Sequence, residues 1–514
     1  MVLLVISPMD FTMIYLLCTF AVALILLRRK SASSRPLPPG PPADPLIGHL
    51  RVFSPAHQHS LFRKWAGEYG DIFRLNILGQ HLVVLNSAEA VIDLLEKRGT
   101  VYSDRPTCTM FEMMGWEADV AVMPYGPRWR KHRKMLQEYF NYNKCLTYRG
   151  DQAREVHALL KVLLTAPEQF LTLTRSFALS SIIKITYGHQ VLHPYDDVYI
   201  KLAEGAFDAL SEAAAGMSLL DLFPSLRHVP WHWFPGFSSL TAAARRLKPA
   251  TRRLHDYPLE DIRRQMDIGI AQSSFLASHL EALDLAMVSG EELEDLKGAA
   301  AVILIAGADT TWSLIQTFFA AMLLFPEAQR KAQEEIDQVV GSRRIPDSSD
   351  RDALPFVECV LQETMRWRPV VPFGFAHRSR EDDEYNGMFI PQRSVVIPNA
   401  VAMSRDEKIY KDADQFYPER FLPAPAGRGE PHFNASFGFG RRICPGRHFA
   451  DNSTWLVVAS VLAMLNITKV LGEDGKEVEP KVEFTTDGQV SRPKPFACTI
   501  RPRSEAAKSL ILQQ

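Results

Sequence analysis

Apolar and polar positions along this chain follow two kinds of pattern. Short apolar runs bounded by turn residues predict a hairpin of strands, Ile72–Leu78 with Gln80–Asn86, folded around Gly79. Further short strands are predicted over Glu384–Ile390, turning at Asn386-Gly387, and over Val395–Ile397. Elsewhere the pattern is mostly helical. The longest helix is expected from about Glu291 to Phe325, where Pro326 ends it. A second follows through Val339 and stops at Gly341, and a third covers roughly Pro355–Trp367 ahead of Pro369. A last apolar helix is expected from about Arg447 to Leu465. Many helices with a few small sheets define a mainly α fold with a minor β part, an α+β body.

The first residues behave differently. Residues 11–27 are nearly all apolar, and with the Val2–Ile6 run they reach the roughly 20 residues that cross a bilayer. Arg28-Arg29-Lys30 follows directly, which places the rest of the chain on the cytosolic side. A cleaved signal peptide would carry its positive charge before the apolar run, so residues 1–30 read as an uncleaved anchor. The proline-rich segment Pro36–Pro42 then makes residues 31–45 a stiff, extended strap, leaving 46–514 as the body. Asn434, Asn452 and Asn466 match the glycosylation pattern, a weak signal that a cytosolic body leaves unused.

Composition narrows the class. A chain of 514 residues suggests two or three domains, yet no linker, charge block or repeat divides it after the strap, so one large catalytic unit is expected. The net charge of −1 provides no global field to draw nucleic acid. The six cysteines are scattered without paired spacing, which fits a reducing compartment and buried free thiols rather than a disulfide framework.

One of those thiols stands apart. Cys444 lies in Phe437-Gly-Phe-Gly440-Arg-Arg442-Ile-Cys444-Pro-Gly446, just ahead of an apolar helix. Glycines allow tight turns that aim backbone N–H groups at a sulfur and let backbone approach a flat cofactor. The positive end of the following helix favours a thiolate, and Arg442 can pair with an acidic group. A buried free cysteine would leave these neighbours unexplained together. The spacing Phe-x-x-Gly-x-Arg-x-Cys-x-Gly resembles the haem-binding signature of the cytochrome P450 family, and residues 437–446 match it without a gap.

Four other segments carry the same resemblance. Ala306-Gly307-Ala308-Asp309-Thr310-Thr311 interrupts the longest apolar helix with glycine and an acid. A threonine hydroxyl bonding back to a carbonyl could open that helix locally and leave a groove for a small molecule. The resemblance implies that Asp309 and Thr310 pass protons during O–O cleavage. Glu363-Thr-Met-Arg366 and Tyr417-Pro-Glu-Arg420-Phe421 resemble the family's buried charge cluster, with Glu363, Arg366 and Arg420 structural. Trp129-Arg-Lys-His-Arg133 resembles the propionate-binding helix, where Trp129 and Arg133 hold haem. Arg105 and His377 sit where related enzymes place further propionate partners. The anchor and strap resemble the family's microsomal branch. Met114-Gly-Trp, Tyr125-Gly-Pro-Arg-Trp-Arg and Asp382-Asp-Glu-Tyr-Asn-Gly look like fungal members.

The resemblance implies haem b with an axial thiolate from Cys444, with Phe437, Gly440 and Gly446 shaping its loop. It also implies insertion of one oxygen atom from O2 into a lipophilic substrate: a secondary metabolite, a terpenoid or sterol, or an aromatic xenobiotic. No glycine-rich dinucleotide fingerprint follows a strand, so electrons must come from another protein. An NADPH-dependent flavoprotein reductase is the implied partner, with cytochrome b5 a further candidate donor, on the endoplasmic reticulum membrane. Lys131 and Lys134 are candidates to draw an acidic partner to the cysteine side. Pocket candidates are Met110–Met123, Phe223–Phe237, Val302, Ala306, Val370–Phe375 and Gln489-Val490, whose apolar side chains favour an apolar ligand. Two other classes remain: a haem-thiolate isomerase or dehydratase needing no reductase, and a non-catalytic tethered haem protein.

Overall fold

The hairpin predicted around Gly79 pairs Ile72–Ile77 (β1) with Gln80–Leu85 (β2), antiparallel, with Phe73 opposite Val84. Its two-residue turn places both Leu78 and Gly79 at positive φ, 51° and 91°, a geometry that matches the twist of the strands it joins. The computed structural model describes residues 35–53, 58–193, 196–213, 219–228, 238–283, 289–485 and 489–514. The expected membrane anchor lies outside the described residues.

The sheet is completed from far along the chain. Val395–Pro398 (β6) lies parallel to β2, with Val83 opposite Val396, and His377–Arg378 (β3) pairs antiparallel with β6. Between them Asp383–Tyr385 (β4) and Met388–Ile390 (β5) form the hairpin expected at Asn386-Gly387. Both turn residues have positive φ, 51° and 73°. Leu465–Thr468 (β7) and Thr499–Pro502 (β8) make a last two-stranded sheet. The strap docks on this β region through its own backbone. Pro39 O accepts from Arg74 N at 2.7 Å, Pro36 O accepts from Phe389 N at 2.7 Å, and Pro41 O bonds the His49 ring at 2.8 Å.

Helices make up most of the body. Those that position the site are Pro127–Phe140 (α1), Arg149–Thr165 (α2), Phe170–Tyr187 (α3), Gly290–Leu324 (α4), Pro326–Val339 (α5), Pro355–Trp367 (α6) and Arg447–Met464 (α7). The three helix ends predicted from proline and glycine agree to within a residue or so. A complete capping box starts α4: Ser289 and Glu292 exchange side-chain and backbone bonds.

Helix α4 is the spine. It is long and apolar enough to span a bilayer, yet 72% of its most apolar stretch is buried in the body, so it is a core helix. Its most extensive partner is α3. Gly307 permits this approach, because a Cβ there would stand 2.9 Å from Ile182 Cγ1. Helix α7 packs against α2, α4, α5 and α6 and is buried along most of its length. The C-terminal half of α4, α2, α5, α6 and α7 share one apolar cluster with Phe319, Trp367, Trp455 and Leu462 inside it. The N-terminal half of α4 packs in a second cluster with Trp116, Trp129, Ile182 and Phe275.

Candidate active site

The loop ahead of α7 is fixed by its own backbone. Cys444 N donates to Phe437 O at 2.8 Å, so the first and eighth residues of the motif are tied together. Between them Gly438 has φ 73° and ψ −166°, a conformation open in practice only to glycine. Gly440 has φ 54°, and a Cβ on it would come within 2.1 Å of Leu95 O. Gly446 differs from the expectation: its φ is an ordinary −84°, and a Cβ there would meet Cys444 Sγ at 4.0 Å, normal contact. Its contribution is its N–H, which together with that of Arg447 points at the sulfur.

Those amides oppose a strong force. Burial pushes the Cys444 thiol up, while the N–H groups of Gly446 and Arg447 and the charges of Arg133 and Arg447 pull it down. The thiol therefore sits where a metal cation would complete its ionisation. Among the described residues no three His, Cys, Asp or Glu side chains gather to hold a metal, so the remaining ligands would have to come from a cofactor such as a porphyrin.

Beside the sulfur lies an unusual concentration of buried cations. Arg442 donates to Ser103 O at 2.8 Å, Val120 O at 3.0 Å and Met123 O at 2.8 Å, and its guanidinium carbon stands 4.4 Å from the Trp129 ring centroid. Arg105 donates to Ala121 O, Phe375 O and Ala376 O at 2.7–2.8 Å. His377 is buried and its Nδ1 meets Tyr102 O at 2.7 Å. Burial and mutual repulsion lower Arg442 to about 9, and burial lowers Arg105 to about 10. Burial and the two arginines hold His377 well below its usual range. Arg133 is lowered by burial and feels the Cys444 sulfur. The hydrogen bonds of Arg442 and Arg105 go to neutral carbonyls; Asp119 lies near Arg105, and Asp104 is already paired with Arg378, so three arginines are only partly offset. An acidic cofactor edge would relieve this cost, and the residues fit haem on that ground.

The acid–alcohol segment lies in α4, where the structure departs from the expected local opening. The helix runs unbroken from Gly290 to Leu324. Thr310 Oγ1 does return to Ala306 O at 2.8 Å, but the turn absorbs it. Gly307 serves the contact with Ile182 instead of a groove. What singles this turn out is accessibility: Ala306 is exposed and Thr310 half-buried, one turn apart, on a helix otherwise largely buried. Asp309 forms an ion pair with Arg492, a residue the sequence pattern did not single out.

Behind α7 the three charged residues meet as expected. Glu363 bonds Arg366 through both oxygens at 2.7 Å and Arg420 at 3.1 Å, with all three side chains fully buried. A fourth member was missed: Glu430 accepts from Arg420 at 2.6 Å. Arg366 also donates to Ser404 O, Ala413 O and Gln415 O, and Tyr417 N donates to Glu363 at 2.7 Å. The cluster thus clamps the segment 404–417.

The pocket candidates divide. Met110, Met114, Met123 and Val302 are buried, Val370 and Phe373 are half-buried, and Phe375 is exposed. Residues 229–237 of the aromatic stretch lie outside the described residues. Gln489 bonds Gly374 O and Ser491 N bonds Val370 O, so the last turn is joined to the 370–375 segment. Lys131 reaches toward Asp295 at 3.3 Å and Glu292 at 3.8 Å, ion pairs at the start of α4.

A thiol loop, a buried cationic cluster and an accessible alcohol on the spine helix define a haem-thiolate class of protein. The sequence model described as Cytochrome P450 matches residues 38–498, and the chain belongs to the cytochrome P450 family. Cytochrome P450 monooxygenase 136 of Postia placenta is 40% identical over 486 residues, spanning 93% of this chain and 91% of the relative. A cytochrome P450 monooxygenase of Armillaria gallica is 38% identical, spanning 96% of this chain and 98% of its own. Cytochrome P450 monooxygenase ple1 of Rhodocybe pseudopiperita is 38% identical over 92% of this chain and 91% of its own length. The protein is accordingly an oxidoreductase of the monooxygenase type, with iron protoporphyrin IX and a cysteine axial ligand as its cofactor.

Proposed function

We propose that Cys444 supplies the axial thiolate and that the protein inserts one atom of O2 into a lipophilic small molecule, using electrons passed from NADPH by a separate flavoprotein reductase. The observation that carries this reading is the loop itself: a half-buried sulfur faced by two backbone N–H groups, beside buried arginines whose hydrogen bonds go to neutral carbonyls. When bound, haem supplies the oxygen activation, and the thiolate favours O–O cleavage. The chain's own work is to bind, orient and protonate. Arg442, Arg105, His377, Arg133 and Trp129 hold the acidic edge of the cofactor. Thr310, accessible on α4, holds a proton donor where oxygen is reduced, and Asp309 on the same turn resupplies it.

Apolar side chains support a lipophilic substrate. Met110, Met114, Met123, Val302 and Phe375 offer dispersion contacts and few hydrogen bonds. The reductase is proposed to dock on the basic face around the cysteine loop, where Arg130, Lys134 and Arg441 are exposed and Arg447 is half-buried. Lys131 is committed to Asp295 and contributes less there. An anchor at residues 11–27 is proposed to hold the body on the cytosolic face of the endoplasmic reticulum, within reach of membrane-dissolved substrates.

The test is spectroscopic, then chemical. Reduced protein with carbon monoxide should show the band diagnostic of thiolate ligation, and Cys444→Ala should abolish it. A panel of lipophilic compounds should then give the water-displacement spectral shift, and products only with reductase and NADPH. A histidine-type band in folded wild-type protein, or turnover without an electron source, would overturn the reading.

A further inference from the structure

Arg492 is the cation that the expected site lacked, and its placement is controlled from three sides. Its backbone is tied to Thr485: Thr485 N donates to Arg492 O at 2.9 Å, and Arg492 N donates to Thr485 Oγ1 at 3.1 Å. Its guanidinium carbon stands 4.6 Å from the centroid of the Trp312 ring. Trp312 is itself fixed, donating through Nε1 to Leu171 O at 3.0 Å, and Arg175 lies 5.2 Å from its centroid. The far end of Arg492 pairs with the Asp309 carboxylate. Both side chains are largely covered, 26% and 19% exposed, so the pair is weakly screened and worth more than a surface contact.

This geometry bears on proton transfer. Asp309 and Thr310 are adjacent, but their side chains have different partners: the hydroxyl bonds Ala306 O, and the carboxylate is held by a residue from outside the helix. A carboxylate free to rotate could pass protons along several routes. One bound to a guanidinium that is itself stacked on a fixed indole is limited to few orientations.

We propose that Arg492 is a positioning residue that aims Asp309, so that protons pass to the oxygen site through Thr310 and less of the consumed O2 is released as peroxide. The inference rests on the monooxygenase reading. Productive turnover consumes substrate, O2, NADPH and one proton, and yields hydroxylated substrate, water and NADP+. Misdirected protonation combines O2 with two electrons and two protons and releases hydrogen peroxide, so NADPH is oxidised without product. Arg492 changes the partition between these outcomes and does not touch the reacting atoms.

The experiment compares wild type, R492Q, R492K, D309N and the R492Q/D309N double variant as full-length holoenzyme with reductase and NADPH. A thiolate carbon monoxide band in each preparation shows that loop and cofactor are intact, and its loss in wild type defeats the parent reading alone. Peroxide released per NADPH is expected to rise at least twofold in R492Q, to be partly restored in R492K, and to rise in D309N with no further increase in the double variant. Thermal unfolding is the second readout: R492Q should lower the midpoint more in the wild-type background than in D309N, where only the stacking on Trp312 is left to lose. An R492Q effect on peroxide as large in the D309N background as in wild type, or no effect in either, overturns the proposal. If the thiolate band is retained in that case, the monooxygenase reading stands without it.

Discussion

Glu363 and Arg420 meet at 3.1 Å with neither side chain exposed, joining helix α6 to the segment that leads into the cysteine loop. Such a pair is costly to bury and costlier to break, because the survivor is left as an uncompensated charge. Glu363→Ala takes the carboxylate from Arg366 and leaves Arg420 with Glu430 and backbone carbonyls. We expect a loss of about 3–5 kcal/mol. The check is the stability of the thiolate band to urea, and a loss below about 1 kcal/mol would contradict a buried, coupled cluster.

Gly440 tests the loop more directly. Its φ of 54° and the Leu95 carbonyl at 2.1 Å from a would-be Cβ leave alanine no room, since the obstruction is backbone. Gly440→Ala should displace the loop and abolish the thiolate band in protein that retains its helical circular dichroism. Gly446→Ala, with ordinary φ and a 4.0 Å contact, should retain most of it. Equal tolerance at both positions would show that loop geometry does not hold the sulfur.

Thr310 separates oxygen handling from cofactor binding. Thr310→Ala removes a hydroxyl that, among the described residues, bonds its own helix at Ala306 O, so the helix and the thiolate band should survive. Peroxide per NADPH should rise several-fold. Unchanged coupling would remove Thr310 from its proposed part in proton transfer.

Asp119 provides a pH signature next to Arg105. Burial pushes its carboxyl up to about 6, against a backbone bond from Ala121 and the nearby guanidinium. Between roughly pH 4 and 6 the folded chain keeps a proton that the unfolded chain has released, so this group's contribution falls as pH rises through that window and is flat above it. The full swing is on the order of 3 kcal/mol. His255, lowered to about 4 by burial, acts in the opposite sense over roughly pH 4 to 6.5. The useful measurement is therefore the melting difference between wild type and Asp119→Asn at each pH. It should change between pH 4 and 6 in favour of the variant at the higher pH. A pH-independent difference would place an ionised carboxylate at residue 119 throughout.

Much of this arrangement was readable because local rules and global packing agree. Proline and glycine mark the ends of α4, α5 and α6, and Asn386-Gly387 turns where its backbone preference requires. The cysteine motif was legible because its glycines have no other use. What could not be read depends on distant pairing. The parallel match of Val83 with Val396 has no local signature, and neither does Glu430 beside Arg420. Arg492 lies 183 residues from Asp309, so only the folded chain brings them together. The expected opening at Gly307 failed for a related reason: the glycine accommodates Ile182 of another helix, a demand invisible within its own segment.

The docked prolines have a practical meaning for anyone shortening this chain. Arg74 and Phe389 give their amides to Pro39 and Pro36, so the segment ahead of the first strand acts as a lid on the edges of two separate sheets. Trimming that stops short of Arg35 leaves the lid in place. Trimming past Pro42 bares those two amides together with the neighbouring apolar surface, and the shortened protein should self-associate through the uncovered strands.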